Sequence, residues 1–414
     1  MNIIALTFHY LKAKPLNTLS NVLLLSLGIA VITTLFLCMT QIQEKMEKNA
    51  QGIDLVVGAK GSPLQLILCN IFHVDFPTGN IKLIEAERIV KNKMIKEAIP
   101  IALGDSYLGY RIIGTNRRYP NLYNASLAHG AWWSNDLEAV IGANPAEQLG
   151  LKLGDKLSGS HGLVNDGDVH AEHQYVVTGI LQRSNTVMDN LILCNIQSVW
   201  AMHEGEERVK ALPAPDSSFK SSRLIPGVSA SDTIREITSL LIKYRSPLAA
   251  IQLPRIINAQ SNLQAASPAF ETARLFSILG IGVDILTAFA YVIIFISALS
   301  IFIALFNSLK ERKYDLAIMR SMGASRSKLF LLLLLEGCVL TAVGSLTGLV
   351  LSHSGLVIMT LTHEETQRVG ISGFVFVSAE SIIFMASIVL GAFCSLIPAW
   401  QAYRVDISKV LSSN

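Results

Sequence analysis

Residues Leu309 to Ser352 read LKERKYDLAIMRSMGASRSKLFLLLLLEGCVLTAVGSLTGLVLS, and their two halves have opposite chemistry. Up to Lys328 the stretch is crowded with charge: Lys310, Arg312, Lys313, Arg320, Arg326 and Lys328 stand against Glu311 and Asp315. From Leu329 onward it is apolar, interrupted only by Glu336, and long enough to cross a bilayer, which takes about 20 helical residues. Basic residues packed beside a spanning segment mark its cytoplasmic flank. Within the charged half, KYDLAIMRSMGA reads as a short helix that Gly323 terminates as a C-cap. Its Leu316, Ile318 and Met319 leave apolar surface on a helix of about ten residues, too short to be stable unaided. A short amphipathic helix of this kind calls for a partner groove.

Moving outward, three further charge-free runs of spanning length appear. They lie at Pro15 to Gln43, between Asp284 and Lys310, and between Glu380 and Arg404. The expected architecture is an α-helical membrane protein with four transmembrane helices and a large α/β extracytoplasmic domain inserted between helices 1 and 2. The composition agrees. Only 16% of the 414 residues are charged, against about 25% in a soluble domain, and 51% are hydrophobic. Mean hydropathy is +0.44. A net charge of +3 is too balanced for a nucleic-acid binder. The first run outlasts a signal-peptide core of about 7–15 residues and no small-residue cleavage site closes it, so it is expected to stay attached.

Lys12 and Lys14 before the first span, and Arg404 and Lys409 after the last, put both termini and the 310–328 loop inside. The expected parts are therefore an interfacial segment 1–16, helix 17–43, an outer domain 44–274, helix 275–309, the cytoplasmic loop 310–328, helix 329–360, an outer loop 361–380, helix 381–403 and a cytoplasmic tail 404–414. In the outer block, IKLIEAERIVKNKMI from Ile81, PAEQLGLKLG from Pro145 and DTIREITSLLIKY from Asp232 have helical spacing, the last with Asp232 as N-cap. YLGYRIIGTN, LEAVIGAN, QYVVTGIL and DNLILCNI read as strands, and the Pro- and Ser-rich segment from Pro213 to Pro226 as an exposed loop. Cys69 and Cys194 either pair in an oxidising compartment or remain two buried thiols.

Several motifs bear on chemistry. GAKGS at Gly58–Ser62 fails the phosphate-loop pattern, because Lys60 precedes its glycine instead of following it. No nucleophile with its base, no H-E-x-x-H and no C-x-x-C is present, so the chain is not read as an enzyme. His161, His170 and His173, interleaved with Asp166 and Asp168, have the donor types of a zinc or nickel site; the alternative is a polar surface loop. Gly344 and Gly348 form a G-x-x-x-G stripe that lets helices approach closely. Glu336 is read as structural, a partner for the base of the short helix.

VIGANPAEQLGLKLGDKL (Val140 to Leu157) followed by YVVTGILQRSNTVMDNLI (Tyr175 to Ile192) resembles the periplasmic core domain of MacB-like ABC permeases. Leu309 to Ser352 resembles the ER-x-x-EIG-x-LRA-x-GA…EG…G…G signature of the MacB/FtsX-like permeases, which include LolC/LolE-like proteins. IPAWQAYRVDISKVL, from Ile397, resembles the PA-x-x-A-x-R-x-x-P tail. Departures fall at Asp315, Leu316, Ser321 and at Ile407 or Ser408. The resemblance implies an ATPase-coupling helix carried by Glu311, Arg312, Asp315, Leu316, Ile318, Met319, Arg320, Gly323 and Ala324, and helix packing at Gly337, Gly344, Gly348 and Pro398. It implies no cofactor in this chain, with ATP and magnesium on a separate cytoplasmic ATPase, and a second permease chain in a 2:2 complex in the bacterial inner membrane. A periplasmic or outer-membrane partner is a further expectation. The implied function is mechanotransmission: ATP hydrolysis by the partner moves the outer domain, which shifts a lipoprotein, peptide or efflux substrate. The alternative readings are an FtsX-like signalling scaffold and a metal-handling complex using the histidine loop.

Overall fold

The structure, a computed structural model, describes residues 3–159, 174–203, 221–229, 232, 234–362 and 370–404. The chain forms two units, residues 43–278 and residues 1–42 with 279–414.

The unit of residues 43–278 is α/β. Its strands are β1 (Leu55–Ala59), β2 (Ile81–Lys82), β3 (Ile95–Tyr107), β4 (Tyr110–Thr115), β5 (Leu127–Gly130), β6 (Glu138–Ile141), β7 (Lys156–Leu157), β8 (Tyr175–Leu181), β9 (Leu191–Asn195), β10 (Glu236–Ile237), β11 (Ser239–Tyr244) and β12 (Leu263–Ala266). The main sheet runs β12-β1-β11-β3-β4-β9-β6-β8-β5, with β7 on β8; β4–β9 and β6–β8 are parallel and the rest antiparallel. Both faces are covered, so the central strands carry apolar residues on both sides instead of in strict alternation. Ile112, Ile192, Ile141 and Leu240 point into one core; their neighbours Ile113, Leu193, Val140 and Leu241 point into the other. At the edge, Asn258 bonds both the N–H and the carbonyl of Ala265 on β12. Those are the backbone groups an intruding strand would need.

Four sequence expectations give way here, wholly or in part. The segment from Asp232 is not a helix but the strands β10 and β11. Asp232 does cap, its Oδ1 accepting from the N–H of Ile234 and Arg235 at 2.9 Å, but it caps a turn. β11 lies between β1 and β3 and is buried over Ser239–Ile242, so sheet burial overrides the helical spacing. The segment from Ile81 supplies only one short helix, Leu83–Val90, and Ile95 already begins β3. The segment around Pro145 is helical only over Ala143–Gln148, stopped ahead of Gly150 at φ +66°. Of the Pro- and Ser-rich stretch, 213–220 lie outside the described residues. Its end is only partly exposed: Leu224 and Ile225 are buried, and the Arg223 and Leu224 N–H groups donate to the buried Glu87 carboxylate.

The second unit is a helix bundle. Among the described residues the α-helices are α1 (Ile3–Ala13), α2 (Pro15–Ala50), α3 (Pro63–Ile67), α4 (Leu83–Val90), α5 (Arg118–Leu122), α6 (Ala143–Gln148), α7 (Ile196–His203), α8 (Pro247–Gln260), α9 (Pro268–Glu311), α10 (Lys313–Ser321), α11 (Arg326–Thr362) and α12 (Ser378–Tyr403). Among the described residues four, α2, α9, α11 and α12, are long and apolar enough to cross a membrane. Their contacts are made by small residues. A Cβ on Gly337 would meet the Gly391 carbonyl and the Ser395 Cβ at 2.7 Å. One on Gly344 would meet Leu25 at 2.9 Å, and one on Gly348 the Ser26 carbonyl at 2.8 Å. The G-x-x-x-G stripe of α11 therefore seats α2, while Gly337 seats α12, close approaches that only glycine allows. Pro398 is buried inside α12.

Candidate coupling site

The charged loop between α9 and α11 is mostly helix. α9 ends at Glu311 and α10 begins at Lys313, so the two are separated by a single residue, Arg312. At its far end α10 closes on Gly323 at φ +96°, with the Ala324 N–H donating to the Met319 carbonyl at 3.0 Å. A left-handed residue there suits glycine, as the sequence indicated.

Arg312 is the most heavily contacted residue of this junction. Its guanidinium donates to both oxygens of Glu336 at 3.4 Å, reaches the Tyr10 carbonyl at 3.5 Å and lies 4.0 Å over the Tyr10 ring. Both side chains of the pair are nearly buried, at 12% and 5% exposure. A desolvated charge pair of this kind is strongly destabilised when one partner is lost. Glu336 is thus the partner of the short helix's base. Lys14 adds an outer ion pair with Glu311. Burial pushes the Tyr10 hydroxyl above its ordinary value, with Arg312 opposing.

The apolar residues of α10 divide. Leu316 and Ala317 are buried, Leu316 in a cluster with Leu309, Leu329, Leu332, Leu333, Ala399 and Ala402, and Met319 packs at its margin. Leu316 therefore does not sit on an outward docking face, as expected from the sequence; it faces α9, α11 and α12. The outward stripe consists of Tyr314, Ile318 and Met322, four residues apart along one face, with Met322 82% exposed. Lys313 and Asp315 flank it, exposed. Tyr314 and Met322 were missed from the sequence, although their i, i+4 spacing with Ile318 was there to be read.

Other sequence candidates fall elsewhere. His161, His170 and His173 lie outside the described residues. Gly58 and Ala59 belong to β1, and Ser62 caps α3, its oxygen accepting from the Gln65 N–H. That is the local use of the GAKGS stretch. Cys69 and Cys194 are buried and form no disulfide. Burial raises both thiols, Cys69 to about 12.

At the other end of α11, His353 bonds the Gly373 carbonyl at 2.6 Å and Glu380 at 3.0 Å. Gln41 of α2 bonds both the N–H and the carbonyl of Ser372. The segment leading into α12 is thereby tied to α11 and α2. Neither His353 nor Gln41 carried a motif that could have revealed this.

Comparison with known proteins completes the picture. The family model "FtsX-like permease C-terminal" matches residues 287–407, and "MacB-like periplasmic core domain" matches residues 18–240, more than half of the chain. The lipoprotein-releasing system transmembrane protein LolC of Buchnera aphidicola subsp. Schizaphis graminum is 22% identical over 367 residues, covering 83% of this chain and 81% of that protein. Among solved structures, the periplasmic region of MacB from Actinobacillus actinomycetemcomitans aligns with 12% identity and a TM-score of 0.34 over 56% of this chain and 97% of that one. The extracellular domain of YknZ from Gram-positive bacteria aligns at 11% and 0.29, over 52% of this chain and 99% of that one. Four apolar helices, an α/β domain and these family matches lead to one conclusion: the chain belongs to the MacB/FtsX/LolC-like ABC transporter permeases, multi-pass membrane proteins that act with a cytoplasmic ABC ATPase.

Proposed function

We propose that this permease converts ATP hydrolysis by a separate ATPase subunit into motion of its α/β domain, which acts on a substrate at the outer side of the inner membrane. The observation that carries this is the division of α10 into a buried face and an exposed stripe. The exposed stripe of Tyr314, Ile318 and Met322 is the surface offered to the ATPase. The inner face, fixed by Leu316 and by the Arg312–Glu336 pair, makes α10 move with α9, α11 and α12 instead of yielding alone. α9 has 44 residues and α2 has 36, about 66 and 54 Å at 1.5 Å per residue, so both exceed a hydrocarbon thickness of roughly 30 Å. Such helices transmit displacement beyond the bilayer. In this reading the termini and α10 are cytoplasmic, the α/β domain is periplasmic, and two permease chains serve two ATPase subunits. The LolC similarity favours a lipid-anchored protein among the substrate classes.

The test is co-purification of the ATPase with full-length variants. Ile318→Asp places an unpartnered carboxylate in the docking surface and should abolish subunit binding while the chain stays folded. Lys313→Ala, an exposed charge worth under about 1 kcal/mol, should leave binding intact. If Ile318→Asp retains the ATPase and full activity, the stripe is not the docking surface. A cysteine at exposed Ser134 should label from outside and one at Ser325 only after the membrane is opened; the buried native Cys69 and Cys194 add little background in the α/β domain.

A further inference from the structure

In the bundle unit, α1, the start of α2 and the middle of α11 enclose a groove of about 480 Å³ that neither the coupling reading nor the family match uses. The volume falls within the roughly 300–1,000 Å³ typical of ligand sites. Phe8 and Leu11 of α1, Leu19 and Val22 of α2, and Leu340 and Val343 of α11 form its walls. Thr18, the one hydroxyl there, is already satisfied by donating to the Leu11 carbonyl at 2.9 Å. Only one charged side chain lines the groove, Lys12, at the elbow where α1 turns into α2. Lys14, two residues on, is paired with Glu311, whereas Lys12 has no ion-pair partner among the described residues. The groove is preformed, because the opposite face of α1 is anchored through Leu6, Tyr10 and the Arg312 contact to the Tyr10 carbonyl.

We infer that this groove holds the acyl chain of an anionic phospholipid, with its phosphate at Lys12. An apolar trough within a membrane-spanning bundle is filled by something apolar, and the lone cation at its mouth selects a negative headgroup. The distance fits. From Pro15 to Val22 the helix rises about 10 Å, so the groove descends from the elbow roughly a third of the way across the hydrocarbon. A helix from a second copy fits poorly, since one turn about 10 Å wide and 5.4 Å high already occupies roughly 400 Å³. The inference depends on α2 and α11 spanning the membrane, not on the coupling role of α10.

Native mass spectrometry of the full-length chain, equilibrated with equal amounts of phosphatidylglycerol and phosphatidylcholine, tests it. The wild type should retain one phosphatidylglycerol per chain, preferred roughly five-fold, the contribution of one lysine at an anionic surface. Lys12→Ser should bring the two lipids to parity without reducing total retention. Val343→Trp, at a position 40% exposed and so open to a larger side chain, should fill the groove and lose the lipid at an unchanged unfolding midpoint. Three results overturn the inference: a phosphatidylglycerol preference that survives Lys12→Ser, lipid retention that survives Val343→Trp, or conversion of dimers to monomers by Val343→Trp, which would make the groove a subunit interface.

Discussion

The two units of this chain both bury leucines but differ in what they expose and in how their elements are held together. The α/β unit buries its large aliphatic residues: Val56, Ile112, Ile192, Leu193, Leu240 and Leu241 are essentially inaccessible. The helix bundle buries Asn21, Ser26, Thr33, Ser297, Ser345, Ser395 and Glu336, and exposes Phe289, Phe295, Ile382 and Phe393. The difference follows from the solvent. Water drives aliphatic side chains into a core. Lipid tails are as apolar as leucine, so helices associate instead through close approach of small residues and through hydrogen bonds. The Ser300 hydroxyl to Asn21 at 2.6 Å and the Thr34–Ser352 hydroxyl pair at 2.9 Å are bonds of this kind.

The largest break in this contrast should come from its most polar buried point. Arg312→Ala leaves Glu336 buried without its counter-charge and should cost about 3–5 kcal/mol, read as a fall in unfolding midpoint of the purified chain. Adding Glu336→Gln should restore much of the loss. A silent Arg312→Ala would mean that the pair is hydrated. Next comes the sheet: Leu193→Ala should cost about 2–5 kcal/mol through the cavity it leaves, while Phe393→Ala on the bundle exterior should cost far less. Equal losses would show that the Phe393 face is packed against protein and not against lipid. Gly391→Val should follow at about 1–3 kcal/mol, because its Cβ would collide with Thr341 and with the Gly337 carbonyl. Tolerance of valine there would show that α11 and α12 do not interlock. The smallest effect belongs to Lys14→Ala, under about 1 kcal/mol and further reduced by salt, since its partner Glu311 is 59% exposed. A larger loss would extend the buried network outward to this pair.

Much of the connection between α9 and α11 was legible from residues alone. The Gly323 stop, the charged flank and the structural role of Glu336 all follow from local chemistry. The direction in which Leu316 points does not. Leu316 and Ile318 are only two positions apart on α10, so which of them faces inward depends on where α9, α11 and α12 lie. The outer unit shows the same limit. The strand YVVTGIL alternates buried and half-buried residues and is read correctly, because one period fits it. The segment SLLIKY inside DTIREITSLLIKY has no clear period, because β11 is covered on both faces.

What the sequence determined by itself is the set of four spans, their basic flank and the short amphipathic element between the second and third. These depend on hydropathy summed over about 20 residues and on charge at the ends, quantities that no partner segment can change. Tertiary structure alone decided the pairing of Arg312 with Glu336, the inward turn of Leu316, the strand fate of the segment after Asp232 and the glycine contacts of α11 with α2 and α12. Each of these depends on which distant segment arrives beside the residue, and burial against that neighbour outweighs a local preference of a few tenths of a kcal/mol per residue.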